Sequence, residues 1–121
     1  MKSYTDLEQS RKLAGILPIE TADMDWSMLT STPTLLALQW TKTTKKLPNI
    51  PAWSLSKLCE LIEVEYKIEK SYLDQSGICT YSFIFEGLSD GQPGYYRTYE
   101  QEEIIDAAVE FIEFLKRNGL L

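Results

Sequence analysis

The sequence predicts an α+β fold in which a three-stranded antiparallel sheet is packed by helices. Two patterns carry this prediction. Apolar residues recur every three to four positions near both ends of the chain and around position 58, as in amphipathic helices. Between positions 64 and 99, short runs alternate apolar with polar residues or are rich in aromatic residues, as in strands. The 121 residues, 44% of them hydrophobic, are enough for a single domain, 1–121, with a core of its own.

The first predicted helix spans 5–17. Thr5 and Glu8 match a capping box, in which the two side chains satisfy backbone N–H groups at the start of a helix. Pro18 ends the helix, because proline has no backbone N–H and disfavours helical conformation in the residue before it. The apolar positions between these limits form an irregular face.

The next segment, 19–51, lacks one dominant period. Residues 19–29 alternate loosely and indicate an irregular or short extended piece. In 33–40, a threonine followed by a proline favours the start of a short helix, while the alternation of side chains also fits a strand. We favour the helix there and keep the strand as the alternative. Residues 41–51 contain two prolines and are interpreted as a linker within the domain.

A second helix is predicted over 54–63. Ser54 is a preferred N-cap residue, and the apolar residues after it recur at helical spacing. Counted from that cap, Trp53 occupies N′ and Leu58 occupies N4, the two positions of a hydrophobic staple. The pattern therefore gives Trp53 a structural role at the entry to the helix, with a binding-site role as the alternative.

Three strands are predicted between the second helix and the last. The first begins near Val64 and alternates apolar with mostly charged residues up to Tyr72. The second, 78–86, carries apolar residues on both faces, which suits the central strand of a sheet. The third is short and covers 95–99. Because turn-forming residues separate these runs, the sequence predicts an antiparallel meander.

The last helix is predicted over 100–117. Thr98 and Gln101 match a capping box, and Gly119 stands where a left-handed residue commonly ends a helix. One face of this helix is a broad apolar stripe. The opposite face is acidic and carries Glu103, Asp106, Glu110 and Glu113.

Charge and cysteine content limit the classes of partner and the compartment. The net charge of −6 is concentrated in residues 61–121, which carry twelve acidic against five basic residues. An acidic surface repels phosphate backbones, so nucleic acid is disfavoured as a partner. No apolar run reaches the roughly 20 residues that a membrane span needs, so no membrane contact is expected. Two cysteines, Cys59 and Cys79, in a domain with an adequate core indicate reduced thiols and a cytoplasmic location.

The sequence carries no recognisable catalytic signature. It contains no histidine, the commonest general base and metal ligand. The motifs of nucleotide-binding loops and of nucleophile elbows are also absent. The glycine-rich stretch 87–94 lies between two predicted strands and is interpreted as a hairpin loop rather than a phosphate cradle. We therefore expect no enzyme activity, no cofactor and no metal.

Two surfaces are candidates for binding a protein partner. Tyrosine and arginine are frequent at the energetic centres of protein interfaces, and the chain clusters Tyr95, Tyr96, Arg97 and Tyr99. The alternative is a strand whose tyrosines cover the sheet. The acidic face of the last helix is either a solvated surface or a decoy that mimics nucleic acid and occupies a basic site on another protein.

The leading hypothesis is therefore a non-enzymatic protein-interaction or regulatory module with an unknown protein partner. The acidic decoy is the second hypothesis. The third is a small-ligand-binding protein with a pocket near Asp23, Trp26 and Trp40.

Three stretches of the chain form a distinctive combination: LEQSRKLAGILPIETADM at 7–24, IPAWSL at 50–55 and DAAVEFIEFLK at 106–116. Together they resemble a family of short, uncharacterised proteins of prophages and mobile elements in gut bacteria. The resemblance implies an accessory protein of a bacterial cytoplasm and brings no activity or site residue. Separately, the order of one helix, three strands and one helix over 54–117 matches a double-stranded-RNA-binding domain, but the acidic start of the last helix argues against RNA binding.

Overall fold

Helices and two small sheets make up the part of the chain that a computed structural model describes, which comprises residues 2–27, 32–37, 49–73, 77–87 and 94–121. Within those residues there are three α-helices: α1 (Leu7–Ala14), α2 (Leu55–Leu61) and α3 (Ile104–Arg117). A 3-10 turn covers Ile19–Thr21. The predicted α+β class is confirmed.

Both sheets are antiparallel and contain three strands each among the described residues. The first sheet contains β1 (Met24–Ser27), β2 (Thr34–Ala37) and β3 (Asn49–Ala52), in the order β2-β1-β3. The second sheet contains β4 (Lys67–Leu73), β5 (Ile78–Glu86) and β6 (Tyr95–Arg97), in the order β4-β5-β6. The second sheet is the predicted meander, and β5 is its central strand as expected.

The first sheet corrects the sequence prediction for the segment before α2. Part of 33–40, for which we favoured a helix, is the strand β2, and the end of the predicted linker 41–51 belongs to β3. Pairing decides this outcome, because β2 and β3 both hydrogen-bond along β1 and so override a weak local helix signal. Residues 38–48 lie outside the described part of the chain.

The N-terminal helix is shorter than the predicted 5–17 at both ends, since it begins after the cap Asp6 and ends at Ala14, with Gly15 as its C-cap, before Pro18 is reached. Asp6 Oδ1 accepts from the Gln9 N–H at 2.8 Å, and Gln9 Oε1 accepts from the Asp6 N–H at 3.1 Å, which makes a capping box. Thr5 is instead fully buried beside the end of β3, where its N–H donates to the Trp53 carbonyl at 2.9 Å. The predicted capping box of Thr5 and Glu8 is therefore wrong, and the observed one lies one position later, at Asp6 and Gln9.

The C-terminal helix also starts later than predicted, at Ile104 rather than 100. Thr98 Oγ1 accepts from the Phe83 N–H at 2.9 Å, and Gln101 exchanges two backbone hydrogen bonds with Tyr81. Thr98 and Gln101 thus extend the pairing of β5 instead of capping α3.

The predicted end of this helix is confirmed. Gly119 has a φ of 68°, in the left-handed region that favours glycine. The Leu120 N–H donates to the Leu115 carbonyl at 2.8 Å, and the Gly119 N–H donates to the Lys116 carbonyl at 3.2 Å. These two bonds are those of a Schellman motif.

One buried cluster joins α1, α2, β5 and α3, with α3 in contact with both α2 and β5. Trp53 and Leu58, the proposed staple residues, are both fully buried members of this cluster. Ser54 caps α2 as predicted, accepting from the Lys57 N–H at 3.2 Å. Cys59 lies on α2 and Cys79 on β5, and both thiols are free.

Candidate interaction surfaces

The pairing register sorts the side chains of the second sheet into two faces. Residues paired across antiparallel strands project to the same side of a sheet. The inner face includes Phe83 and Phe85, whose rings contact Phe111 and Phe114 of α3. The outer face faces away from α3 and carries Lys67, Glu69, Ser71, Ile78, Thr80, Ser82, Ile84, Glu86, Tyr95 and Arg97.

This register divides the predicted cluster of tyrosines and arginine. Tyr96 lies on the inner face, where its ring stacks on Phe114 with centroids 3.7 Å apart and planes within 2°. Burial, together with the nearby Glu110 carboxylate, raises the pKa of Tyr96. Tyr96 is therefore a packing residue of the sheet, as the alternative interpretation expects, and it does not share a face with Tyr95.

Tyr95 and Tyr99 are the exposed members of the cluster, with 57% and 80% of their surface accessible. Arg97 lies on the outer face with Tyr95 and is held in place by acidic groups. Its Nη2 is 3.0 Å from Glu69 Oε1 and 3.7 Å from Glu100 Oε1. The hydrogen bond to Glu69 raises the pKa of the guanidinium, so Arg97 stays charged.

The pair of Glu69 and Arg97 reaches from β4 to β6 across the central strand. Glu69 is paired with Ser82, and Arg97 is paired with Ile84, so the ion pair passes over this stretch of β5. Ser82 is 1% exposed, and its hydroxyl has no hydrogen-bond partner among the described residues. The centre of the outer face is therefore polar, with the buried Ser82 hydroxyl close to the ion pair, and Tyr95 lies on the edge strand β6.

Exposed apolar side chains concentrate in and beside the second sheet. Five of the seven large apolar residues that are exposed in the described part of the chain fall there: Ile68, Tyr72, Ile78, Tyr95 and Tyr99. The sequence placed Ile68 and Tyr72 on the apolar side of a half-buried strand. Both lie on β4 at the edge of the sheet: Ile68 is paired with Phe83 of the central strand, and Tyr72 is paired with Cys79, nearer the turn than the rings that contact α3. Lys70 Nζ lies 5.6 Å from the centre of the Tyr72 ring.

A groove of about 460 Å³ opens beside the start of β4. One of its lining residues is Tyr66, whose ring stacks on Phe83 with centroids 5.4 Å apart. Burial, with a hydrogen bond to Cys59, raises the pKa of Tyr66 to about 12, so its hydroxyl is neutral. The groove is lined by Val64, Glu65, Tyr66, Lys67, Ile84 and Glu86.

The acidic face of α3 is in contact with the N-terminal segment. Glu103 Oε2 accepts from the Lys2 backbone N–H at 2.8 Å. Asp106 Oδ1 accepts from Lys2 Nζ at 2.8 Å and from Gln9 Nε2 at 2.6 Å. The first two of the four predicted acidic residues therefore serve as hydrogen-bond acceptors for this chain's own N-terminal segment.

The other two acidic residues also have internal partners. Glu110 Oε2 accepts from the Tyr99 N–H at 2.7 Å, and Glu113 Oε1 lies 3.5 Å from Lys12 Nζ. A polar cleft of about 490 Å³ remains between α1 and α3 and contains both lysines and carboxylates. Among the described residues, no group of three or more metal-ligating side chains is arranged to hold a metal ion.

The polar atoms around the predicted ligand pocket are engaged in structural hydrogen bonds. Asp23 accepts from the Ser54 N–H at 2.9 Å and from the Ser54 hydroxyl at 2.5 Å. Trp26 Nε1 donates to the Thr5 carbonyl at 3.0 Å. These bonds tie β1 to the N-terminal segment and to the start of α2. Trp40, the third residue of the predicted pocket, lies outside the described residues.

A comparison with known protein families, curated protein sequences and solved structures finds no match to this chain. None of the helices in the described part of the chain combines the length and the apolarity that crossing a bilayer requires. The arguments about function that follow therefore use this chain's own surfaces.

Proposed function

We propose that this protein is a non-enzymatic protein-interaction module that binds a protein partner through the outer face of its second sheet. The observation that carries the proposal is the pair of exposed tyrosines beside Arg97: Tyr95 is 57% exposed on this face, and Tyr99, two residues beyond β6, is 80% exposed.

The composition of this surface fits a protein partner better than a small ligand. Tyr95 and Tyr99 offer large apolar rings with a polar end, and Arg97 adds a charged group that its acidic neighbours keep oriented. Aromatic residues and arginine are enriched at the centres of protein interfaces. Because these groups lie on or next to a strand, less side-chain and backbone freedom is lost on binding than from a loop.

The acidic decoy remains the second hypothesis, supported by the excess of twelve acidic over five basic residues in 61–121. The contacts of the acidic face weigh against it, because Lys2 and Lys12 already neutralise part of that face. Charge reversal at Glu103, Asp106 and Glu110 tests the decoy: partner binding that is indifferent to these changes rejects it.

Affinity capture with the full chain tests the interaction module. We expect wild-type protein immobilised on beads to retain a specific protein from a bacterial cytosol, the compartment that the resemblance implies. The double variant Tyr95→Ser/Tyr99→Ser should lose that protein while its melting temperature stays unchanged. The matched control is Ile19→Ser, which removes an exposed apolar side chain from another region and should retain the partner. Equal capture by both variants contradicts the proposal.

A further inference from the structure

The second sheet has an open edge at β4. This strand pairs with β5 on one side, and no strand in the described part of the chain pairs with its other side. Lys67, Ile68, Glu69, Lys70 and Tyr72 are all exposed. An exposed strand of seven residues presents a row of backbone N–H and C=O groups that favours pairing with another strand.

We propose that this edge pairs antiparallel with β4 of a second copy of the chain, about a two-fold axis at Ile68. In this register Ile68 lies opposite the partner's Ile68, which buries two side chains that are each 42% exposed. On the outer face, Lys67 lies opposite the partner's Glu69, and the symmetry repeats this ion pair. Opposite charges and apolar residues placed directly across antiparallel strands stabilise their pairing.

Charge repulsion disfavours the alternative registers, in which the two-fold axis lies at another residue of β4. A two-fold axis at Lys67, Glu69 or Lys70 places two identical charges directly opposite each other, which destabilises pairing. An axis at Ser71 avoids like charges but forms no ion pair and leaves Ile68 outside the strand overlap. The axis at Ile68 is the one that gives both ion pairs and apolar contact within β4.

The same register gives a neighbour to Tyr72, an exposed residue near the end of β4. The partner's Tyr72 comes opposite Val64, at the wall of the groove beside β4, if the ladder extends over 64–66. Tyr72 is 65% exposed in the single chain, and Lys70 Nζ lies 5.6 Å from the centre of its ring. The exposed ring thus gains an apolar neighbour, Val64, from the other copy.

The occupant is a second copy rather than an unrelated strand because the complementarity is internal to the strand. Read antiparallel against itself, the sequence Lys-Ile-Glu at 67–69 places a base opposite an acid at both ends and an apolar residue at the centre. Two-fold interfaces of this kind are self-complementary and closed, so the assembly stops at a dimer.

Sedimentation of the full chain tests the proposal. We expect the mass of the wild-type protein to rise with concentration from 13.9 kDa towards twice that value. Ile68→Lys places two like charges at the axis and should weaken dimerisation roughly tenfold or more, while Ile19→Lys should dimerise as wild type does. A chain that stays monomeric at millimolar concentration overturns the proposal, and so does a dimer that Ile68→Lys leaves intact.

A charge exchange tests the register itself. Lys67→Glu alone should weaken the dimer, because two glutamates then face each other, and the double variant Lys67→Glu/Glu69→Lys should restore it. In a separate arm, Ile68→Cys should form a disulfide-linked dimer under mild oxidation faster than Lys70→Cys, since only residue 68 meets its own copy at the axis. Failure of the double variant to recover, or equal cross-linking at both positions, rejects this register.

Discussion

Two tryptophans in or beside the first sheet are placed in the opposite way to three tyrosines in or beside the second sheet. Trp53 is fully buried, and its Nε1 donates to Thr21 Oγ1 at 3.0 Å, while Trp26 Nε1 donates to a backbone carbonyl. Tyr72, Tyr95 and Tyr99 are each more than half exposed. An aromatic residue whose polar end is satisfied inside the chain is a structural residue, whereas an exposed ring leaves most of its surface open to another molecule.

The charged residues of α3 and β4 also differ in whether they have partners within the chain. The acids of α3 and the charges of β4 both look like solvated rows in the sequence. In the structure, Asp106 and Glu113 contact lysines of the N-terminal region, while Lys67 and Lys70 lie on an open edge. A periodic row of charges therefore does not reveal by itself whether that row is available to another molecule.

The largest expected effect is the loss of the buried indole. Trp53→Ala should lower the free energy of unfolding by about 3–5 kcal/mol, because it leaves a cavity in the core. Trp53→Phe should cost less, since it keeps most of the packing and loses one hydrogen bond. Urea denaturation followed by circular dichroism measures both. If Trp53→Ala is as stable as the wild type, the indole is not a structural residue, and the contrast with the exposed tyrosines fails.

A smaller effect is expected where the N-terminal segment meets α3. Asp106→Ala removes the acceptor of two side-chain hydrogen bonds, from Lys2 and Gln9, and should cost about 1–2 kcal/mol. The matched control is Glu102→Ala, an exposed acid with no such contacts, which should change little. If the two variants have equal denaturation midpoints, the contacts of Asp106 with Lys2 and Gln9 do not stabilise the fold.

The pH dependence of stability tests whether Glu110, another acidic residue of α3, is also engaged within the chain. Burial raises the pKa of Glu110 above its ordinary value of 4.5, and the hydrogen bond from the Tyr99 N–H partly opposes that shift. The folded protein thus holds this proton more tightly than the unfolded chain, so the stability it contributes is present below pH 4.5 and is lost as the pH rises through the folded pKa.

Glu110→Gln should remove that loss, because the amide oxygen still accepts from Tyr99 and carries no charge. We expect stability at pH 7 to rise by less than about 1 kcal/mol, and the profile of stability against pH to become flatter above pH 4.5. Thermal unfolding at a series of pH values measures both. A steeper profile in the variant contradicts the assignment of burial as the cause.

The smallest expected effect is on the exposed tyrosines. Tyr95→Ala and Tyr99→Ala should each change the free energy of unfolding by less than about 0.5 kcal/mol, whereas Tyr96→Ala, the residue between them on the inner face, should be clearly destabilising. Chemical denaturation of the three variants compares neighbours of one residue type. If all three variants lose a similar free energy of unfolding, Tyr96 is not packed differently from Tyr95 and Tyr99.

Local signals made the second sheet and the helix ends near Ser54 and Gly119 predictable from the sequence. The first sheet was not, because its strands are four residues long and β1 pairs with a strand more than twenty residues away. Thr5 and Thr98 were misassigned for a related reason. The Thr5 hydroxyl accepts from the N–H of Trp53, just after β3, and the Thr98 hydroxyl accepts from the N–H of Phe83 on β5. No local pattern records contacts of this kind.

The candidate surface was predictable in part. The sequence singles out Tyr95 and Tyr99, which are exposed, and the period of two along a strand already separates Tyr96 from Tyr95. The open edge at β4 depends on the order of strands in the sheet, and the covering of Glu103 and Asp106 depends on where the N-terminal segment docks. Neither is encoded by spacing along the chain.

Amide hydrogen exchange of the full chain, alone and with its captured partner, tests the central claim most directly. We predict that partner binding slows exchange in the strands of the second sheet, 67–73, 78–86 and 95–97, and leaves α3 unchanged. Protection confined to α3 and the N-terminal segment, with the second sheet unaffected, contradicts the claim that this sheet is the binding surface.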